Sequence, residues 1–236
     1  MLDVFNMGLT ALSYLDIPQE TIIGWFEAKD AYWVHDGSPE SPHAVLHSEK
    51  HSNGFIDCLK VLQYPRVSEC LASQLVGKIL RELDGKIPDC VIGSPMAGIT
   101  FAYDVARALG TKRYLFVEKD PNDKDKKVFS RFQISAEETV LDVEELITTA
   151  KTVRAVRAAV EEGNEKPVNW LNIVGALVYR PDDLSIREVD GRKIIAVIEK
   201  KIWAIDPKVT ECPLCQQGSE AIKNPKMNWA RLTGKS

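Results

Sequence analysis

Apolar residues recur at helical spacing through residues 67–83, where Cys70, Leu71, Leu75, Val76, Ile79 and Leu80 share one side and Asp84-Gly85 closes the run. This predicts a surface helix with one buried face. The next segment, Asp89-Cys90-Val91-Ile92-Gly93, is a short apolar run closed by Gly-Ser-Pro, and residues 99–109 return to one-sided spacing before Gly110. The order is strand, tight loop, helix. It repeats: residues 114–117 and 139–143 read as strands, the second leading through 148–152 into a helix over 153–162. Residues 171–179 and 194–198 supply further apolar strands. Strands alternating with helices in this way predict an α/β fold on a parallel sheet, with ligands bound beyond the carboxyl ends of the strands. The loops after Ile92 and Val143 are therefore where chemistry is expected.

Two regions, 1–45 and 203–236, lack the alternation and flank a core at 46–202; between them they hold four of the five Trp residues. They are expected to form a small cap, or hood, over the site. Residues 118–127, Glu-Lys-Asp-Pro-Asn-Asp-Lys-Asp-Lys-Lys, are too polar to pack and read as a mobile loop.

Composition narrows the partners. The chain has 236 residues, 44% hydrophobic and 27% charged, enough for one full core with an appendage. A net charge of -4 argues against a general nucleic-acid binder, because phosphate backbones are held by clustered Lys and Arg. Met1-Leu2-Asp3-Val4-Phe5 carries an acid where a signal peptide needs positive charge, and no apolar run approaches the roughly 18 residues of a membrane span. Five cysteines, with Cys58, Cys70 and Cys90 in apolar surroundings, read as reduced thiols, and a cytoplasmic location is expected.

The run Val140-Leu141-Asp142-Val143-Glu144-Glu145-Leu146-Ile147-Thr148-Thr149-Ala150-Lys151-Thr152 joins a buried strand, two adjacent carboxylates, a hydroxyl-rich turn and a helix start. Free N–H groups at a helix N-terminus, with Thr hydroxyls and Lys151, make a cradle for a phosphate dianion. Two carboxylates at the strand end can accept hydrogen bonds from vicinal sugar hydroxyls. The same residues also fit solvated acids followed by a Thr-capped helix.

This run resembles the phosphoribosyl pyrophosphate signature of the type I phosphoribosyltransferases: a hydrophobic strand, two acids, two aliphatics, then Thr-Thr-Gly-x-Ser/Thr. The resemblance implies that Glu144 and Glu145 hold the ribose hydroxyls and that Leu146, Ile147, Thr148, Thr149, Ala150, Lys151 and Thr152 enclose the 5'-phosphate. Two positions depart from the pattern: Glu145 stands where Asp is usual, and Ala150 where Gly is usual. Positive φ at 150 would carry strain that Gly avoids. The loop Gly93-Ser94-Pro95-Met96-Ala97-Gly98-Ile99 is similar to the family's pyrophosphate loop, with Ala97 at a position often held by Lys.

The orotate-using branch is the closest resemblance. Residues 45–57, with Leu46-His47-Ser48-Glu49 ahead of Phe55, are similar to the segment that closes over the base, and Phe55 takes the place of its stacking aromatic. Arg180 follows the 171–179 strand, where the branch carries an Arg whose planar fork pairs with the orotate carboxylate. Base contacts are thus expected from Phe55, Thr148 and Arg180. The charged loop has a counterpart in a flexible lid whose cations reach pyrophosphate, often across a dimer; Lys119 and Arg131 are the candidates, with Lys124, Lys126 and Lys127 read as solvated. Lys119 and Glu145 are the expected catalytic residues.

The resemblance implies transfer of ribose 5-phosphate from phosphoribosyl pyrophosphate to orotate through an oxocarbenium-like sugar, with no enzyme nucleophile, Mg2+ bound mainly through substrate, and a homodimer. A non-catalytic sensor of phosphoribosyl pyrophosphate, or a transferase with another acceptor base, stays open. Cys212-Pro-Leu-Cys215 supplies two of the four ligands that structural zinc prefers. The other two would have to come from the histidines or a second subunit, so no protein metal site is assigned.

Overall fold

The computed structural model describes residues 16–123 and 126–235; the acidic start at residues 1–5 and Lys124 lie outside the described residues. Helix α1 (Gln19–Glu27) buries Ile22, Ile23, Trp25 and Phe26 in the main core. Four short strands follow, β1 (Tyr32–Val34), β2 (His43–Val45), β3 (His51–Ser52) and β4 (Gly54–Ile56). β1 pairs antiparallel with β4, and β2 with β3. The expectation of a cap over 1–45 does not describe α1: its bulky apolar face packs into the core, and Gln19 Oε1 accepts a hydrogen bond from Glu199 N–H.

A one-turn helix, α2 (Leu59–Leu62), leads into α3 (Pro65–Glu82), which begins with proline where the missing N–H has no helical partner to lose. β5 (Cys90–Gly93), α4 (Ala97–Leu109) and β6 (Arg113–Phe116) make one strand–helix–strand unit, and Gly110 ends α4 in the left-handed conformation that Gly adopts without a Cβ clash. The charged stretch forms a paired stem, β7 (Glu118–Lys119) against β8 (Lys127–Val128), rather than a wholly irregular loop. β9 (Thr139–Ile147), α5 (Lys151–Gly163), β10 (Asn169–Tyr179), β11 (Glu188–Val189) and β12 (Arg192–Glu199) complete the core.

The six-stranded sheet has the order β11-β12-β10-β9-β5-β6, parallel except for the edge strand β11. Its strands are apolar on both faces because both are covered. Val91, Leu141, Val143 and Leu177 meet α3 and α4 on one side; Ile92, Val140 and Leu115 meet Val156 and Val160 of α5 on the other. β9 runs four residues beyond the predicted 139–143. Glu144, Leu146 and Ile147 stay in register with Ala176, Val178 and Tyr179, so the long apolar neighbour β10 carries the ladder through the acids. Beneath them the buried Asp142 accepts two hydrogen bonds from Arg157, at 2.7 and 2.8 Å.

The tail contributes β13 (Ala204–Ile205), α6 (Pro213–Gln216), β14 (Ala221–Lys223) and α7 (Trp229–Thr233). β13 pairs with β3 and β14 with β2, giving a second sheet in the order β13-β3-β2-β14 that joins distant ends of the chain. Among the described residues no helix is long and apolar enough to cross a membrane.

Candidate active site

The carboxyl ends of β5 and β9 bring their loops together. Ser94 follows β5, the Pro95–Met96 peptide is cis, and α4 starts at Ala97. The Ser94 hydroxyl donates a hydrogen bond to the Glu144 carboxylate, and the Gly98 N–H donates to Glu145. Two glycines permit this contact. A Cβ on Gly93 would lie 2.5 Å from the Gly98 carbonyl oxygen, and one on Gly98 would lie 2.8 Å from Ser94 Oγ and 3.1 Å from Glu145 Oε2.

Both acids are perturbed. Burial, reinforced by the Glu145 charge, holds the Glu144 carboxyl well above the usual carboxylate range, and the Ser94 hydrogen bond offsets only part of this. Burial also raises Glu145, against the stabilising N–H of Gly98. Glu145 Oε2 is buried without a hydrogen-bond partner among the described residues. A buried carboxylate oxygen in that state favours a ligand that donates hydrogen bonds or carries positive charge.

After Ile147 the chain turns through Thr148 and Thr149 into α5. Ala150 sits at the helix N-cap with φ 58° and ψ 17°, so the left-handed conformation that favours Gly is held by Ala. Its methyl is buried among Ile147, Val153 and Val174.

Two cavities meet at Arg180. One, of about 370 Å³, is lined by Thr148, Thr149, Lys151, Arg180, Asp182 and by Leu46, Ser48 and Lys50 of the β2–β3 turn. The other, of about 420 Å³, is lined by Glu145, Leu146, Ala97, Arg180, Phe55 and Cys58, with His47 and Lys226 at its rim. Arg180, at the end of β10, is 8% exposed, and its Nε is buried without a partner among the described residues. Burial lowers its pKa, against the Asp182 charge. A desolvated guanidinium of this kind fits a carboxylate or phosphate ligand. Phe55 on β4 makes an edge contact with Trp229, ring centroids 6.3 Å apart.

The structure thus brings Ser94, Ala97, Glu144, Glu145, Leu146, Thr148, Thr149, Lys151, Arg180 and Phe55 to one place. Ile147 and Ala150 face the core behind it, Thr152 is exposed on α5, and Pro95 and Met96 line neither cavity. Lys119 is exposed on β7 opposite Lys127, while Arg131 donates two hydrogen bonds to Glu118 at 2.8 and 2.9 Å; neither lines either of these two cavities.

Sequence reading missed three neighbours. Lys226, in the irregular tail, pairs with Asp57 at 3.0 Å, and its charge lowers the pKa of Glu145. Cys58 donates its thiol hydrogen to the Glu145 carbonyl oxygen at 3.5 Å. Lys127, expected to be solvated, is half-buried on β8, and its charge lowers the pKa of Glu144. No periodicity marked any of them.

No protein-family model matches the chain. It is 34% identical over 182 residues to an orotate phosphoribosyltransferase of Caldanaerobacter subterraneus subsp. tengcongensis, covering 77% of this chain and 87% of that one. With the orotate phosphoribosyltransferase of Heliobacterium modesticaldum the identity is 37% over 183 residues, with the same coverage of 77% and 87%. Among solved structures, orotate phosphoribosyltransferase from Aeropyrum pernix superposes with a TM-score of 0.53 at 16% identity, covering 75% of this chain and 93% of the other, a likeness of fold.

Proposed function

The chain belongs to the orotate phosphoribosyltransferase family, and on that premise we propose that it transfers ribose 5-phosphate from phosphoribosyl pyrophosphate to orotate, releasing pyrophosphate, in pyrimidine biosynthesis. Arg180 carries the proposal: a nearly buried guanidinium with an unpartnered Nε, in the wall shared by both cavities, matches a small planar carboxylate. Phosphate and ribose recognition alone would not need it there.

The acids Glu144 and Glu145 accept the vicinal ribose hydroxyls, while Thr148, Thr149, Lys151, Thr152 and the main-chain N–H groups around Ala150 hold the 5'-phosphate. Phe55 forms the wall for the base. The 93–97 loop offers Ser94 and main chain to the pyrophosphate. Buried carboxylate charge beside the sugar supports the positive, oxocarbenium-like transition state, so positioning and electrostatics replace a nucleophile. The oxygen donors fit Mg2+: Glu145 Oε2, a buried side-chain oxygen without a partner among the described residues, could take one position, with most other ligands coming from substrate and water. When bound, the ion neutralises charge on the leaving pyrophosphate.

Lys119 on β7 and Arg131, just beyond β8, are proposed as lid cations of a homodimer that reach pyrophosphate, and the β13-β3-β2-β14 sheet as the hood. The composition and thiols fit a cytoplasmic enzyme. The test is orotate absorbance followed with phosphoribosyl pyrophosphate and Mg2+. Loss of orotate that requires both is expected. Calorimetric binding of phosphoribosyl pyrophosphate with no turnover would replace the transferase by the sensor.

A further inference from the structure

Four side chains outside the proposed reaction converge beneath the β2–β3 hairpin: His43, His51, Cys212 and Cys215, whose ligand-type atoms all lie within 4.8 Å of one another. We infer that they form a structural zinc site that clamps the tail to this hairpin. Nothing in the transferase reading calls for them.

Distances separate this from a chance polar cluster. Tetrahedral zinc, with Zn–N near 2.0–2.1 Å and Zn–S near 2.3 Å, sets ligand edges of about 3.3 Å for N···N and about 3.5 Å for N···S. Here His43 Nε2 is 2.9 Å from His51 Nδ1, 3.5 Å from Cys215 Sγ and 3.8 Å from Cys212 Sγ, and His51 Nδ1 is 3.3 Å from Cys215 Sγ. One imidazole nitrogen facing three such neighbours cannot satisfy them all through a single hydrogen or lone pair. A cation at the centre does.

The tautomer of His43 is fixed from outside. The Ser219 hydroxyl donates to the Ser41 carbonyl oxygen at 2.7 Å, so its oxygen must accept from His43 Nδ1, 2.9 Å away. In the neutral ring this leaves the Nε2 lone pair aimed at the two sulfurs. An outer partner that sets the tautomer is the usual support of a metal-bound histidine. Cys212 and Cys215 bracket the start of α6 with the two-residue spacing of zinc ligands, and both are free thiols. Each loses its proton on ligation.

The site ties β2 and β3 to a segment some 160 residues away. Between those strands lies the turn that sends Leu46, His47 and Ser48 to the cavities at Arg180. The metal thus positions the turn without touching substrate, a consequence that rests on the transferase reading. The metal itself does not.

The test measures zinc in the full-length protein purified without chelator, then Co2+ binding to the reduced, metal-stripped chain. One zinc per chain, and a Co2+ spectrum with intense tetrahedral d–d bands and thiolate charge transfer, are expected. Cys215→Ser, at an exposed position, should lower Co2+ affinity at least tenfold and weaken the charge-transfer band. A reduced wild-type chain with neither zinc nor a tetrahedral Co2+ spectrum would overturn the inference, as would a Cys215→Ser chain with unchanged affinity and spectrum. Metal without orotate turnover would leave the site standing and remove only the transferase reading.

Discussion

The Ser94 hydroxyl at the end of β5 donates to the Glu144 carboxylate at the end of β9, so the 93–98 loop, proposed for pyrophosphate, and the acid proposed for ribose form one unit. Ser94→Ala leaves a buried carboxylate without that donor. Leaving a buried acceptor without its donor costs about 1–3 kcal/mol, so kcat/KM for phosphoribosyl pyrophosphate should fall about 5- to 100-fold. Steady-state kinetics beside an unchanged circular dichroism spectrum check this.

Glu144→Gln should separate stability from activity. A carboxyl whose folded pKa is raised contributes stability fully below its unfolded value, 4.5, and loses it as pH rises through the folded pKa. The wild type should therefore weaken relative to Glu144→Gln from pH 5 to pH 8. At pH 8 the variant should be more stable by on the order of 1 kcal/mol and nearly inactive. Urea unfolding at the two pH values measures it, and a wild-type advantage that grows with pH would count against the buried-acid description.

Gly98→Ala should damage the site more than the fold. Its Cβ would crowd Ser94 Oγ at 2.8 Å and Glu145 Oε2 at 3.1 Å, both movable side-chain atoms. Stability should fall by about 1–3 kcal/mol, with turnover reduced beyond what the folded fraction explains. Thermal unfolding and the orotate assay on one preparation give both numbers.

Ala150→Gly should change stability little. Relief of left-handed strain gains about 1–2 kcal/mol, but the lost buried methyl costs about 0.8 kcal/mol and the greater freedom of unfolded Gly about 0.5–1 kcal/mol. A measured loss above about 2 kcal/mol would mean that methyl packing, not φ, dominates at this position.

The parallel sheet was legible because α3, α4 and α5 keep one apolar stripe each and the strands between them are short apolar runs. The acid pair and phosphate loop were legible because they are contiguous. β9 outran its predicted end because Glu144 reads as polar and breaks the apolar pattern, while the register with β10 holds it in the sheet. Lys226 and Cys58 were hidden because only tertiary pairing brings them to Glu145. His43 and His51 were hidden from Cys212 and Cys215 for the same reason. The charged stretch 118–127 read as a mobile loop because single-residue polarity says nothing of the Glu118–Val128 and Lys119–Lys127 register.

Arg180, proposed to pair with the orotate carboxylate, is isolated by Arg180→Ala. KM for orotate should rise at least about 100-fold, the scale of losing a charge-assisted bidentate pair, while calorimetric affinity for phosphoribosyl pyrophosphate stays within about threefold, a shift of under 1 kcal/mol. Equal loss of both would contradict that pairing.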